Sequence, residues 1–157
     1  MLLFIRGDLV KIGIANDHAG TQLKLDLIEY LKEKGHEVKD YGTDSFTKSD
    51  YPLQGELLGN GVKNKEVDLG IGICGTGLGI SYACNKVKGI RAAVCSETTS
   101  ASLARLHNDA NIVCFGARIV GIELAKDIVD TFINTAFSNE ERHIKRINMI
   151  KDIEDRQ

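Results

Sequence analysis

The chain has 157 residues, 43% hydrophobic and 27% charged, which suits a single α/β domain and excludes wholesale disorder. Lys and Arg number 20 against 22 Asp and Glu, a formal net charge of -2, so no global positive field holds nucleic acid; no apolar run nears the ~18 residues that cross a membrane. Cys74, Cys84, Cys95 and Cys114 lack C-x-x-C spacing and sit among apolar or small residues, which argues against disulfides or zinc and for a reducing, cytoplasmic setting.

Met1 to Ile5 is apolar but has no basic leader, and Arg6 and Asp8 break it. Residues 1–9 are expected to be a short N-terminal extension and not a targeting segment; residues 10–157 are expected to form one domain. Leu9 to Ala15 is a strand candidate ending at Asn16-Asp17-His18. Leu23, Leu27, Ile28 and Leu31 then recur at helical spacing, and Gly35 stops the helix. His36 to Tyr41 is a second strand, 42–52 a polar loop, and Leu53 to Val62 a helix weakened by Gly55, Gly59 and Gly61.

Val67 to Cys74 is a compact apolar strand, followed by Gly75-Thr76-Gly77-Leu78-Gly79 and a helix from Ile80 to Lys86. Ile90 to Cys95 is the fourth strand, and Thr98 to His107 a helix with Leu103 and Leu106 on one side. Ile112 to Phe115 is the fifth strand; Ile122 to Phe132 is an amphipathic helix with Leu124, Ile128 and Phe132 spaced by four. The charged tail from Asn139 is expected to be helical. Five strands alternating with helices imply a parallel sheet with helices on both faces, followed by a C-terminal helix. Ligands of such sheets bind beyond the carboxyl ends of the strands.

That rule directs attention to Asp17-His18, to Cys74–Gly79 and to Arg118. Alternate glycines in Cys74-Gly75-Thr76-Gly77-Leu78-Gly79 free main-chain N–H groups to face an oxygen, and the next helix adds its positive end. The pattern matches neither the Walker motif nor the dinucleotide fingerprint. Thiols at helix N-termini serve as bases or nucleophiles, although a tight turn with a structural thiol also explains Cys74. Asp17 is equally explained as a helix cap, and His107-Asn108-Asp109 as a helix end. Arg142 and Arg146, spaced i, i+4 around His143, share a helix face and suit a phosphate; a solvated charged helix is the ordinary alternative. Together these are the parts that proton transfer between adjacent sugar carbons needs: a base next to a carbonyl and donors for the enediolate oxygen.

The ordered stretches Asn16-Asp17-His18-Ala19-Gly20, Asp50-Tyr51-Pro52, Ile73 to Ser81, Ala83-Cys84-Asn85-Lys86, Gly89-Ile90-Arg91-Ala92, His107 to Asn111, Gly116-Ala117-Arg118 and Arg142-His143 resemble the ribose-5-phosphate isomerase type B family and its galactose-6-phosphate relatives. The resemblance runs from Val10 to Ile150. It implies a Rossmann-like three-layer α/β/α sandwich and a homodimer, paired into a tetramer in some members, with the site at the dimer interface, no metal and no organic cofactor. It implies that Cys74 is the base, that Thr76 shuttles protons between the substrate oxygens, and that Gly75, Thr76, Gly77, Leu78 and Gly79 cradle the enediolate. His107 would open the furanose ring, assisted by Asp17 and Asn108. His18, Arg118, Arg142 and Arg146 would hold substrate and phosphate, with Tyr51 lining the pocket and the tail exchanged between subunits. Leu53-Gln54-Gly55 replaces the family's usual aromatic–alanine continuation, and Cys74 places the chain in the thiol branch. Galactose 6-phosphate and allose 6-phosphate remain alternative substrates, and a non-catalytic sugar-phosphate-binding regulator is a further alternative.

Overall fold

The computed structural model describes residues 9–157; residues 1–8 of the expected extension lie outside the described residues. Five parallel strands, β1 (Lys11–Asn16), β2 (Glu37–Asp40), β3 (Leu69–Cys74), β4 (Ala92–Val94) and β5 (Ile112–Gly116), form one sheet in the order β2-β1-β3-β5-β4. All six residues of β3 and all five of β5 are buried. They read as unbroken apolar runs because helices cover both faces of the sheet. The edge strand β2, Glu-Val-Lys-Asp, is largely exposed and charged, which blunts its free edge against further pairing.

The helices are α1 (Thr21–Glu33), α2 (Tyr51–Lys63), α3 (Leu78–Asn85), α4 (Thr98–Asn108), α5 (Ile122–Asn134) and α6 (Glu141–Asp155). One face of the sheet packs on Leu23, Leu27 and Leu31 of α1, Ala101 of α4, and Ile128, Val129 and Phe132 of α5. The other packs on Leu58 and Val62 of α2 and Ile80 and Cys84 of α3. The three-layer expectation holds. No helix among the described residues is long and apolar enough to cross a membrane.

Several expected boundaries and faces shift. The second helix begins at Tyr51, not Leu53, with Pro52 in its first turn, where a missing N–H costs nothing. The third begins at Leu78 instead of Ile80. Strand β4 is shorter than the expected Ile90 to Cys95. The expected stripe of α4 is wrong: it buries Ala101 and Arg105, and Leu103 is exposed. In α5, Leu124 of the expected stripe lies at the solvent margin, and Ala125, Val129 and Ile133 join Ile128 and Phe132 inside.

The topology fixes where a ligand can sit. From β1 the chain moves outward through α1 to β2, whereas from β3 it moves the other way through α3. Adjacent strands β1 and β3 therefore form the switch point, where the two departing connections leave a crevice at their carboxyl ends.

Candidate active site

Cys74 ends β3 in that crevice, paired in register with Gly116 of β5. Its side chain is buried, and Sγ accepts the Gly77 N–H at 3.1 Å. Gly77 stands at φ +81°, and a Cβ there would lie 2.7 Å from the Phe115 Cα. Both the left-handed conformation and the close approach demand glycine. The turn presses against β5, and Leu78 starts α3 directly behind it. Thr76 is exposed, its hydroxyl accepting the Leu78 N–H at 3.3 Å. This arrangement aims a helix N-terminus at the space beyond Cys74, where negative charge is favoured.

The other carboxyl-edge residues gather around the turn. The Asp17 N–H donates to the Ile73 carbonyl at 3.0 Å, which ties the end of β1 to the end of β3. Asp17 caps the following 3-10 turn, His18–Gly20, by accepting the Ala19 N–H at 2.9 Å. Half-buried His18 follows it. The Arg118 N–H donates to the Gly75 carbonyl at 3.1 Å, and its guanidinium folds over Gly75, 3.1 Å from where a Cβ would stand. The Tyr51 ring covers Gly79, within 2.7 Å of a Cβ placed there. The turn glycines thus admit an arginine on one side and an aromatic ring on the other.

His107, Asn108, Arg142 and Arg146 do not join this group. His107 and Asn108 end α4, which runs back to the amino-terminal edge of the sheet. The first β5 residue, Ile112, comes four positions before Gly116, so this second group stands roughly 13 Å or more from Cys74 along the strand. There the His107 ring stacks on His143, with centroids 4.5 Å apart. His143 is 3% exposed, and its Nδ1 lies 2.6 Å from the Ser138 hydroxyl. Burial, then the Arg142 charge, lowers the pKa of His143 from the ordinary imidazole value and favours its neutral ring. Arg142 and Arg146 are exposed on α6, and Arg142 Nε reaches only Glu140, at 2.7 Å. His143, read with the arginines as part of a charged cluster, is instead the one buried residue of α6.

Two cysteines are poorly suited to act as bases. Burial, with Glu97 nearby, pushes the Cys95 thiol up to about 11. A hydrogen bond with Cys84, then burial, raises Cys114 well above an ordinary thiol. All four cysteines are free and buried, but Cys74 alone closes a strand at the crevice.

Sequence reasoning missed the groups that hold the site in place. Lys24 is fully buried, its ammonium donating to Asp40 Oδ2 and Asp44 Oδ1, both at 2.7 Å, and to the Thr43 carbonyl at 2.9 Å. Its position three before Leu27 and seven before Leu31, on the apolar stripe, was the available signal. Arg105, four after Ala101, is buried likewise and donates to Asp109 Oδ1 at 2.8 Å and the Ala110 carbonyl at 2.6 Å. With Arg91, whose Nε donates to the Asn108 carbonyl at 2.9 Å, it clamps the end of α4 beside His107.

Residues 12–150 match the family model described as Ribose/Galactose Isomerase. The chain is 49% identical to ribose-5-phosphate isomerase B of Escherichia coli (strain K12) over 146 residues, 93% of this chain and 97% of that one. It superposes on a ribose-5-phosphate isomerase B of Clostridium thermocellum with a TM-score of 0.91 and 50% identity, covering 93% of this chain and 98% of that one. It also superposes on the Mycoplasma genitalium ribose-5-phosphate isomerase B solved with bound ribulose 5-phosphate, with a TM-score of 0.88 and 42% identity over 94% of this chain and 97% of that one. With the family model spanning nearly the whole fold and both edges of the sheet, the chain belongs to the ribose/galactose isomerase family.

Proposed function

We propose that this chain is an aldose–ketose isomerase that interconverts ribose 5-phosphate and ribulose 5-phosphate through an enediolate. The observation that carries the reading is that Cys74, the Gly75–Gly79 turn, His18 and Arg118 lie together at the carboxyl ends of adjacent strands, beside the switch point, in a chain so similar to isomerases of this kind.

His107 protonates the furanose ring oxygen as the C1–O bond to it breaks, while Asp17 takes the C1 hydroxyl proton and Asn108 steadies the sugar. The Cys74 thiolate then removes the C2 proton, whose electrons flow through C1 onto the carbonyl oxygen. Amides of the Gly75–Gly79 turn, Leu78 included, hold the resulting enediolate, the largest single contribution in reactions of this type. Thr76 passes a proton between O1 and O2. Cys74 returns the carbon-bound proton to C1, which completes the ketose. The phosphate meets His18, Arg118, Arg142 and Arg146, and Tyr51 walls the pocket over Gly79. Every step is proton transfer between side chain and substrate, so the mechanism calls for neither metal nor organic cofactor.

The separation of the His107 group from Cys74 supports a site shared between two subunits. Residues 10–157 act as one isomerase domain whose tail reaches a partner copy, in a cytoplasmic homodimer. Ile144, Met149, Ile150 and Ile153 of α6 are exposed in the single chain, an apolar surface that such a partner covers. In metabolism the enzyme serves the pentose phosphate pathway.

The test is turnover of ribose 5-phosphate, galactose 6-phosphate and allose 6-phosphate side by side in the presence of a chelator. Ribose 5-phosphate is expected to be used at least tenfold more efficiently than either hexose phosphate. A preference for a hexose phosphate reassigns the substrate, activity only on adding a divalent ion overturns the mechanism, and binding without turnover on all three makes the protein a regulator.

A further inference from the structure

The polar loop between β2 and α2 is expected from its sequence to be a plain connection, and the reaction outlined above makes no use of it. It is nevertheless tightly fastened to the end of β1. Asn16, fully buried, donates through Nδ2 to the Thr43 carbonyl at 3.0 Å and accepts the Thr43 N–H through Oδ1 at 3.1 Å. Thr21 Oγ1 donates to the Ser45 carbonyl at 2.5 Å. The buried Lys24 ammonium binds Asp40, Thr43 and Asp44. Gly42 is packed so closely on Asn16 that a Cβ would fall 2.0 Å from Asn16 Oδ1.

The far end of this loop meets His18 in a reciprocal pair. The His18 N–H donates to Ser49 Oγ at 2.8 Å, and the Ser49 N–H donates to His18 Nδ1 at 3.3 Å. A ring nitrogen that accepts from an amide carries no proton. Of the two neutral tautomers, only the one protonated at Nε2 is compatible with this contact. Nε2–H is then left as a donor for an oxygen of the ligand.

We infer that Ser49 is a positioning residue for substrate binding: its main-chain N–H locks His18 as the Nε2–H tautomer, so that the ring presents a donor to the phosphate or sugar oxygens. Asn16 and Lys24 brace the loop that carries Ser49. Without the lock, a neutral ring protonated at Nδ1 would turn a lone pair toward an anion and repel it. The inference rests on the reading of His18 as a substrate contact, and the experiment separates the two.

The tautomer is read directly from long-range proton–nitrogen spectra of the imidazole in the full-length protein at pH 8. In the wild type, the His18 signals are expected to show a bare Nδ1 and a protonated Nε2; a protonated Nδ1 overturns the inference, whatever the variants do. Ser49→Ala keeps the amide but deletes the Oγ that accepts the His18 N–H, so it should keep the tautomer while the loop is held to His18 by one bond fewer. Ser49→Pro removes the N–H, so it should give mixed tautomers and raise KM for ribose 5-phosphate by about three- to tenfold, the range of one net hydrogen bond, with kcat within about twofold. A folded Ser49→Pro protein with an unchanged tautomer, or a loss confined to kcat, overturns it. If Ser49→Pro does not fold, the wild-type spectrum and Ser49→Ala still decide: loss of the tautomer in Ser49→Ala overturns the role of the amide. Finally, an equilibrium mixture of ribose 5-phosphate and ribulose 5-phosphate is added to the wild type. Movement of the Nε2 signal supports the link to binding. A signal that stays still removes His18 from the substrate, and with it the binding role of Ser49, even where the tautomer is as expected.

Discussion

Cys74 and His107 stand at opposite edges of one sheet: Cys74 closes β3 at the carboxyl edge, and His107 ends the helix that delivers the chain to the start of β5. No side-chain rotation closes a gap of about 13 Å or more along a strand. The reaction proposed above, which uses both residues on one sugar, would draw them from two chains. Mixing inactive Cys74→Ala subunits with inactive His107→Asn subunits should restore activity, because one of the two sites in a mixed dimer receives both intact residues. Arg142→Ala should complement Cys74→Ala in the same way. Recovery is measured after subunit exchange verified by mass spectrometry, and no recovery would place all these residues in one chain's site.

Cys74→Ala should lower kcat by about 10²–10⁴-fold, the contribution of a positioned general base, with little change in melting temperature. Cys95→Ala should leave turnover within about threefold, since that thiol is held protonated and lies away from the crevice. Steady-state kinetics and thermal melts on both variants check this; a Cys74→Ala enzyme retaining more than a tenth of wild-type kcat means another group is the base.

The turn glycines should separate stability from binding. Gly77→Ala forces a side chain into the left-handed region, at about 1–2 kcal/mol, and drives its Cβ into the Phe115 backbone. It should melt well below the wild type or fail to fold. At Gly75 the new methyl would meet only the flexible guanidinium of Arg118. Gly75→Ala should fold and melt within about 3 °C of the wild type, while KM for ribose 5-phosphate rises as Arg118 is displaced. Melting by fluorimetry beside KM determination decides it, and equal destabilisation in both variants would refute the distinction.

Lys24 should govern stability in alkali. Burial alone would push its ammonium down, but hydrogen bonds to Asp40 and Asp44, aided by their charges, hold it above the ordinary 10.5. A group raised in the folded state contributes fully below its unfolded value and loses that contribution as pH climbs through the folded value. Lys24→Met should therefore cost about 2 kcal/mol near neutrality, a moderate figure because Asp44 stays in water, and the deficit should shrink above pH 10.5. Urea unfolding of both proteins from pH 8 to 11.5 measures it; a constant deficit would show that packing alone is lost.

The parallel sheet, and the glycine turn that follows its third strand, are legible in the sequence because their signals are local. Leu-Gly-Ile-Gly-Ile-Cys followed by a glycine turn announces a buried strand leading into a helix, whatever lies around it. The faces of α4 are not legible in that way. Leu103 looks like core and Arg105 like surface, yet Arg105 is inside because Asp109 and the carbonyls of Ala110 and Thr135 satisfy its donors. Those partners become neighbours only after the chain has folded. The bond between Ser49 and His18 spans 31 positions and takes its donor from the backbone, so no local pattern around Ser49 announces it. The separation of His107 from Cys74 likewise follows from the direction of α4 relative to β5, a property of topology and not of spacing.

The glycines that weaken α2 on paper set how closely it lies on α3. A Cβ at Gly55 would come 2.7 Å from that of Ala83, and one at Gly59 would come 2.9 Å from Val87 Cγ2. The two backbones approach as near as they do only because neither position has a side chain. Tyr51 begins the same helix and covers Gly79 on α3, so the seat of its ring is set one and two turns away, where a hydrogen atom stands in place of a side chain. A methyl group added at either glycine acts as a wedge between the helices, and its effect surfaces at the far end of the lever, where the aromatic ring lifts away from Gly79.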